Sequence, residues 1–282
     1  MGRPDECAEG AGPFTTRLTW RLPDGGSAVW ESRTARRRGA FKVRAAGETE
    51  HRPQLSDATT LRRLRRLNVI ASVGFTIGGA LFALGAAVAQ LGSGSPTVSA
   101  SIYFAGGLFF NTGGYTSLLQ VINAPRPGSA AEPMAARDWR WWSYEPVRID
   151  WLSSVLLLAG TIVFGVNLVN SFLTGLSVQQ ENRLVWGPDL IGCLLFLASG
   201  HLAVMEICHG RPCWHSRSLG WWIVAVNQLG SVFFLASAVA AFTRPATGSL
   251  VNVSVANWGT FAGALCFAAA GLLQVFERPY AS

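Results

Sequence analysis

Six polar residues recur at matched offsets in otherwise apolar sequence. Gly106, Phe110 and Gly114 have the spacing G-x3-F-x3-G, repeated by Gly192, Phe196 and Gly200 and by Gly263, Phe267 and Gly271. Six residues beyond each last glycine stands Gln120, Glu206 or Glu277, and an Arg-Pro pair follows: Arg126-Pro127, Arg211-Pro212, Arg278-Pro279. A second triplet aligns Ser72-Val73, Ser154-Val155 and Ser231-Val232, with Asn68, Asp150 or Asn227 four residues before each serine. Acids and amides that converge inside a membrane protein bind cations, protons or polar solutes. Packed about a pseudo-threefold axis, Asn68, Gln120, Asp150, Glu206, Asn227 and Glu277 would form such a ring. The plainer reading puts each at a span end, in interfacial water or beside Arg148, Arg211 or Arg278. Gly, Phe and Gly four apart share one helix face, and that stripe reads as a packing seam.

A second cluster holds soft ligands. His201, Met205 and Cys208 lie at i, i+4 and i+7 on one helical face, and Cys213 and His215 follow closely. Such donors suit copper(I) or zinc. The spacing Cys208-His209-x3-Cys213-x-His215 fits no standard zinc pattern, so the bland reading is one helical histidine and a reduced Cys/His pair in a loop. Five cysteines at Cys7, Cys193, Cys208, Cys213 and Cys266, odd in number, argue against a structural disulfide. No phosphate loop, G-x-S-x-G elbow, H-E-x-x-H or dinucleotide fingerprint is present. Neither an enzyme nor a cofactor is expected.

The elements that carry these residues are apolar. Half of the 282 residues are hydrophobic, and 22 of the 39 charged residues lie in the first 66. The remaining sequence has too few charges to solvate a globular surface and suits a chain whose solvent is lipid. Six stretches have the roughly 20 apolar residues a span needs: Leu67–Gln90, Ser99–Asn123, Ile149–Leu173, Leu184–Cys208, Leu219–Phe242 and Val251–Phe276. Short connections join them in pairs. The expectation is an all-α polytopic membrane protein, six transmembrane helices arranged as three parallel two-helix hairpin repeats over 67–127, 148–212 and 218–279.

Charge gives the orientation. Of 23 Lys and Arg, only Arg183 and Arg244 fall on the side opposite both termini, so the termini are expected to be cytoplasmic. Trp139, Trp141, Trp142, Tyr144 and Trp151, with Trp214, Trp221 and Trp222, would lie at the inner headgroup level. The net charge of +7 then records topology, not a nucleic-acid partner. The Arg36-Arg37-Arg38 run and the other basic flanks are expected to meet anionic headgroups of the bilayer. Twenty-two arginines against one lysine point to a GC-rich bacterial gene, hence a bacterial cytoplasmic membrane. No secretory signal is expected, the first 60 residues being polar.

Residues 1–66 form the N-terminal cytoplasmic segment. Thr15–Leu22 and Ser27–Arg33 are strand-like about the turn Pro23-Asp24-Gly25-Gly26, which predicts a β-hairpin over 15–33. Residues 34–60 read as a flexible linker, with an amphipathic stretch at Thr60–Arg66.

The third copy carries a family resemblance. Its residues are Asn227-Gln228-Leu229-Gly230-Ser231-Val232-Phe233-Phe234 and Asn257-Trp258-Gly259-Thr260-Phe261-Ala262-Gly263-Ala264-Leu265-Cys266-Phe267. They resemble the YrhK-like family of small bacterial membrane domains. The resemblance implies a two-span helical unit and transfers no catalytic or binding residue. Two function classes are expected: a membrane module acting as scaffold, lipid-interaction protein or stress-related sensor, or a channel or transporter for a small ion or solute using the polar ring.

Overall fold

The protein is described from a computed structural model covering residues 7–126, 138–215 and 217–277. Pro127, Arg137, Arg278 and Pro279 lie outside the described residues, so the first Arg-Pro pair is seen only in part and the third lies wholly outside them.

The first part of the chain folds as a small β-domain, the N-domain. Five strands form an antiparallel meander in chain order: β1 (Cys7–Ala11), β2 (Phe14–Arg21), β3 (Ser27–Glu31), β4 (Ala40–Arg44) and β5 (Arg52–Leu55). The predicted hairpin is β2–β3, with Arg21 opposite Ser27 and Trp20 opposite Ala28. Its turn closes through Gly25 at φ +82° and an Asp24 carboxylate that accepts from the Gly26 amide. Trp20, Ala28, Trp30, Ala35 and Phe41 make the domain's core. Residues 34–60 are not a linker. They hold most of a short helix, α1 (Ser32–Arg38), the strands β4 and β5, and the start of the next helix. Strand β4 alternates Phe41 and Val43 with Lys42 and Arg44, a pattern only five residues long. The Gly39 backbone in the left-handed region, φ +62°, ends α1 and turns the chain directly into β4.

Six long helices follow: α2 (Ala58–Leu91), α3 (Pro96–Ile122), α4 (Ile149–Asn170), α5 (Val178–Ile207), α6 (Leu219–Ala240) and α7 (Val253–Gln274). All but α3 are long and apolar enough to cross a membrane. Helix α3 has 27 residues, ample for a crossing by length, but its Ser, Thr, Asn, Tyr and Gly dilute its apolarity. Helix α2 begins well before Leu67, capped by the Asp57 carboxylate on the Thr59 and Thr60 amides. Its first turns bury Leu64 and expose Arg62, Arg63, Arg65 and Arg66.

Helices pair as α2 with α3, α4 with α5, and α6 with α7, and neighbouring pairs pack until α7 meets α2 and closes a ring. The axis of that ring is filled by six phenylalanines. Phe82, Phe164 and Phe234 meet one another at centroid distances of 5.5, 6.4 and 6.2 Å. Each also meets a ring from its helix partner: Phe110 at 5.2 Å, Phe196 at 6.0 Å and Phe267 at 5.2 Å. Aromatic pairs at such distances add about 0.5–1.5 kcal/mol each beyond their burial.

The glycine stripe explains the close approach of these helices. A Cβ on Gly106 would lie 3.1 Å from the Gly78 carbonyl oxygen, one on Gly192 3.1 Å from the Phe164 Cβ, and one on Gly263 2.9 Å from the Gly230 carbonyl. The first glycine of each motif thus packs inside its own helix pair. The last glycine packs against the next pair: Gly114 on Thr161, Gly200 on Gln228, and Gly271 on Thr76, the contact that closes the ring. Between the two glycines, Phe110, Phe196 and Phe267 point to the axis.

Candidate functional site

Helix α1 places Arg33, Arg36 and Arg37 at i, i+3 and i+4, on one face of two turns. That face enters the end of the helix ring nearest the N-domain. Each arginine goes to a different helix pair. Arg37 Nη1 donates to Asn68 Oδ1 of α2 at 2.7 Å and to Gln120 Oε1 of α3 at 2.8 Å. Arg36 Nη2 donates to Glu206 Oε2 of α5 at 2.6 Å, and its Nη1 lies 3.9 Å from Asp150 Oδ2 of α4. Arg33 grips Glu277, just beyond α7, with Nε to Oε1 at 3.0 Å and Nη2 to Oε2 at 2.7 Å. The Ser32 hydroxyl donates to the other Glu206 oxygen at 2.6 Å.

Five of the six expected ring residues therefore converge. Asn68, Gln120, Asp150, Glu206 and Glu277 are all buried, none exposed beyond 8%. Their first partners are arginines of the same chain. Asp150 is also held at both oxygens by Arg148, at 3.0 and 2.5 Å, and Arg148 in turn reaches Glu145, which also pairs with Arg126. Asn68 ties α2 to α7, its amide donating to the Gln274 carbonyl at 3.0 Å.

The sixth residue is out of register. Asn68 and Asp150 stand fourteen residues before Phe82 and Phe164, and the residue fourteen before Phe234 is Gly220. Asn227 lies two turns nearer the phenylalanine layer, level with Phe75 and Leu157. Gly220 is needed where it is, because a Cβ there would fall 2.8 Å from Glu277 Oε1 and 2.9 Å from Arg33 Nε. The serine alignment chose Asn227; the aromatic layer chooses Gly220.

The arginine run also differs from expectation. Arg36 and Arg37 are buried in the bundle and only Arg38 is exposed, so the first two meet the ring and not lipid headgroups. Burial disfavours the charge on Arg36, but Glu206 and Asp150 outweigh it and raise its pKa. For Arg37 burial wins. Helped by the neighbouring Arg36 and Arg33 and opposed by Glu277, it pulls the pKa down to about 9. Burial likewise opposes the Glu277 carboxylate, yet Arg33, Arg37 and Arg36 hold its pKa below the usual value. Sequence reading weighed the ring against nearby arginines and missed these three, although their i, i+3, i+4 spacing beside Gly39 was visible.

Behind the arginines lies a cavity of about 90 Å³, with Arg33, Arg36 and Arg37 at one end and Phe75, Phe196 and Phe267 among its apolar walls. Ser153 and Ser199 join across it by reciprocal hydroxyl-to-carbonyl bonds of 2.9 and 2.7 Å.

The N-domain is fastened at further points. The Trp30 indole donates to the Pro125 carbonyl at 3.0 Å, with the Arg148 guanidinium over its ring. Thr16 bonds His209 Nδ1 at 2.8 Å, and Gly210 backs onto Ala11.

The soft-ligand cluster does not assemble. Among the described residues no group of three or more His, Cys, Asp or Glu is placed to hold a metal. His201 and His215 are exposed and Met205 is half-buried. Cys208 and Cys213 are joined as a disulfide, against the expected reduced pair. The chain reverses through His209 and Gly210 at φ +49° and +75°, which brings their Cα atoms to 5.4 Å, within disulfide reach.

No protein-family model, curated protein or solved structure matches the chain.

Proposed function

We propose that the protein is a non-conducting membrane module that fixes a small β-domain to the cytoplasmic face of a six-span bundle. The reading takes α3 as the sixth span, since it packs between α2 and α4, two helices fit to cross. It takes the three helix pairs as parallel copies of one hairpin. The matched Phe82/Phe110, Phe164/Phe196 and Phe234/Phe267 contacts support this. So does the delivery of one arginine of α1 to each pair. The basic flanks support a cytoplasmic N-domain in a bacterial cell, and the reading takes the flanking aromatic and basic side chains to the inner headgroups. The YrhK-like resemblance belongs to the same reading, as a scaffold, lipid-interaction or stress-related module without catalysis.

The observation that carries it is the six-phenylalanine layer across the axis. A channel needs a wet, continuous path, and a dry layer of packed rings bars ions. The competing reading, transport of a small ion or solute, draws on the polar cavity behind the arginines. That cavity meets apolar rings on the far side and the arginine helix on the near side. Vesicles loaded with dyes for protons, potassium and chloride test the choice. Purified protein should add no flux to protein-free vesicles; flux above that control overturns the proposal.

A further inference from the structure

The cavity behind α1 has an unusual electrical lining. Three guanidinium groups reach it, and no carboxylate of the described residues does. The ring acids face the arginines from outside the cavity.

Arg37 is the least directly compensated of the three. Arg33 and Arg36 each bond a carboxylate directly, whereas Arg37 bonds only the neutral carbonyls of Asn68 and Gln120. Its Nε has no hydrogen-bond partner although it is buried, and the nearest acid, Glu277, is 3.7 Å away and already gripped by Arg33. A buried guanidinium whose nearest acid is shared and at 3.7 Å is costly, and its depressed pKa has the same origin.

We propose that the cavity binds one small monovalent anion of chloride's kind, with Arg37 as its cation. The volume of about 90 Å³ has room for a halide together with a few waters. The other donors are neutral. The Ser117 and Ser154 hydroxyls and the Asn227 amide line the cavity, whereas the Ser153, Ser199 and Ser231 hydroxyls already donate to backbone carbonyls. The cavity is also reachable. Arg33 and Arg37 line a second space of about 260 Å³ between the N-domain and the ends of α5 and α7, so the two guanidinium groups stand between the cavity and that opening.

Such an anion does not require the bundle to conduct. It neutralises the plug, and it stabilises the docked N-domain by mass action. The flux measurement and the binding measurement therefore succeed or fail separately.

The test uses the purified full chain in detergent micelles. Its unfolding temperature is followed by tryptophan fluorescence in sodium chloride, sodium bromide and sodium gluconate at equal ionic strength. Chloride and bromide should raise it saturably above gluconate, and Arg37→Gln should abolish the difference. Equal unfolding temperatures in chloride and gluconate for the wild type overturn the proposal, as does an undiminished halide response in Arg37→Gln. If that variant does not fold, Asn227→Leu fills the cavity instead. It should raise the half-saturating chloride concentration at least tenfold, and an unchanged concentration overturns the proposal.

Discussion

Arg36 and Glu206 meet at 2.6 Å across 170 residues of chain, and neither is visible to solvent beyond a few per cent. This pair is the centre of the plug. It joins the middle helix pair to a domain made of entirely different material, a small antiparallel sheet. The geometry is a charge-assisted hydrogen bond in a dry setting, backed by the Ser32 hydroxyl on the second carboxylate oxygen.

Breaking that pair from one side should cost more than removing it. Arg36→Met leaves Glu206 buried with only Ser32, and should lose about 3–5 kcal/mol. Arg36→Met combined with Glu206→Leu should recover most of the loss, because two apolar side chains replace two desolvated charges. Unfolding in mixed micelles with increasing dodecyl sulfate, run as a double-mutant cycle, gives the coupling. Additive losses would show that the two groups do not share an interaction.

The helix contacts should be intolerant of even one methyl. A Cβ on Gly263 meets the Phe234 ring edge and lies 2.9 Å from the Gly230 carbonyl, where backbone, not a flexible side chain, must give way. Gly263→Ala should destabilise the bundle by about 1–3 kcal/mol. By contrast Gly175→Ala at a loop position, with nothing within reach, should show only the strain of its φ of +71°. Unfolding of the two variants side by side separates packing from backbone strain.

Acid should release the plug. Glu277 has a pKa below its ordinary 4.5 when folded, with burial opposing and Arg33, Arg37 and Arg36 prevailing. In the window below 4.5 the unfolded chain then binds the proton first, so stability falls as pH falls. Thermal unfolding between pH 6 and 3 should show that slope in the wild type, and Glu277→Gln should flatten it. An equal slope in both would place the acid sensitivity elsewhere.

Much of this arrangement is legible in the residues. The apolar stretches mark the helices, and the three G-x3-F-x3-G motifs mark both the seams and the axis. The positions of Gln120, Glu206 and Glu277 follow from them directly. Asn227 shows the limit. Serine and valine are common in apolar helices, so their match in the odd helices misplaced the register by two turns. The better ruler was Phe82, Phe164 and Phe234, whose meaning needs three-dimensional contact. Helix α1 escaped for another reason. Its arginines are spaced for one helix face, but seven residues are too few to establish a helix period, and the run resembles a membrane-surface one. Only the need of three buried carboxylates for partners points inward. Cys208 and Cys213 failed similarly: an odd cysteine count and an expected reducing compartment argued against pairing, but a local reversal at His209 and Gly210 set their distance.

The order of synthesis adds a consequence. Arg33 leaves the ribosome 244 residues before Glu277, and its β-domain is translated before any helix it docks on. Until the final helix has been inserted, the ring is open and one arginine has no acid to hold. Docking therefore engages all three arginines only once the end of the chain is in place. A chain that stops before Glu277 leaves Arg33 without the carboxylate it grips in the complete bundle.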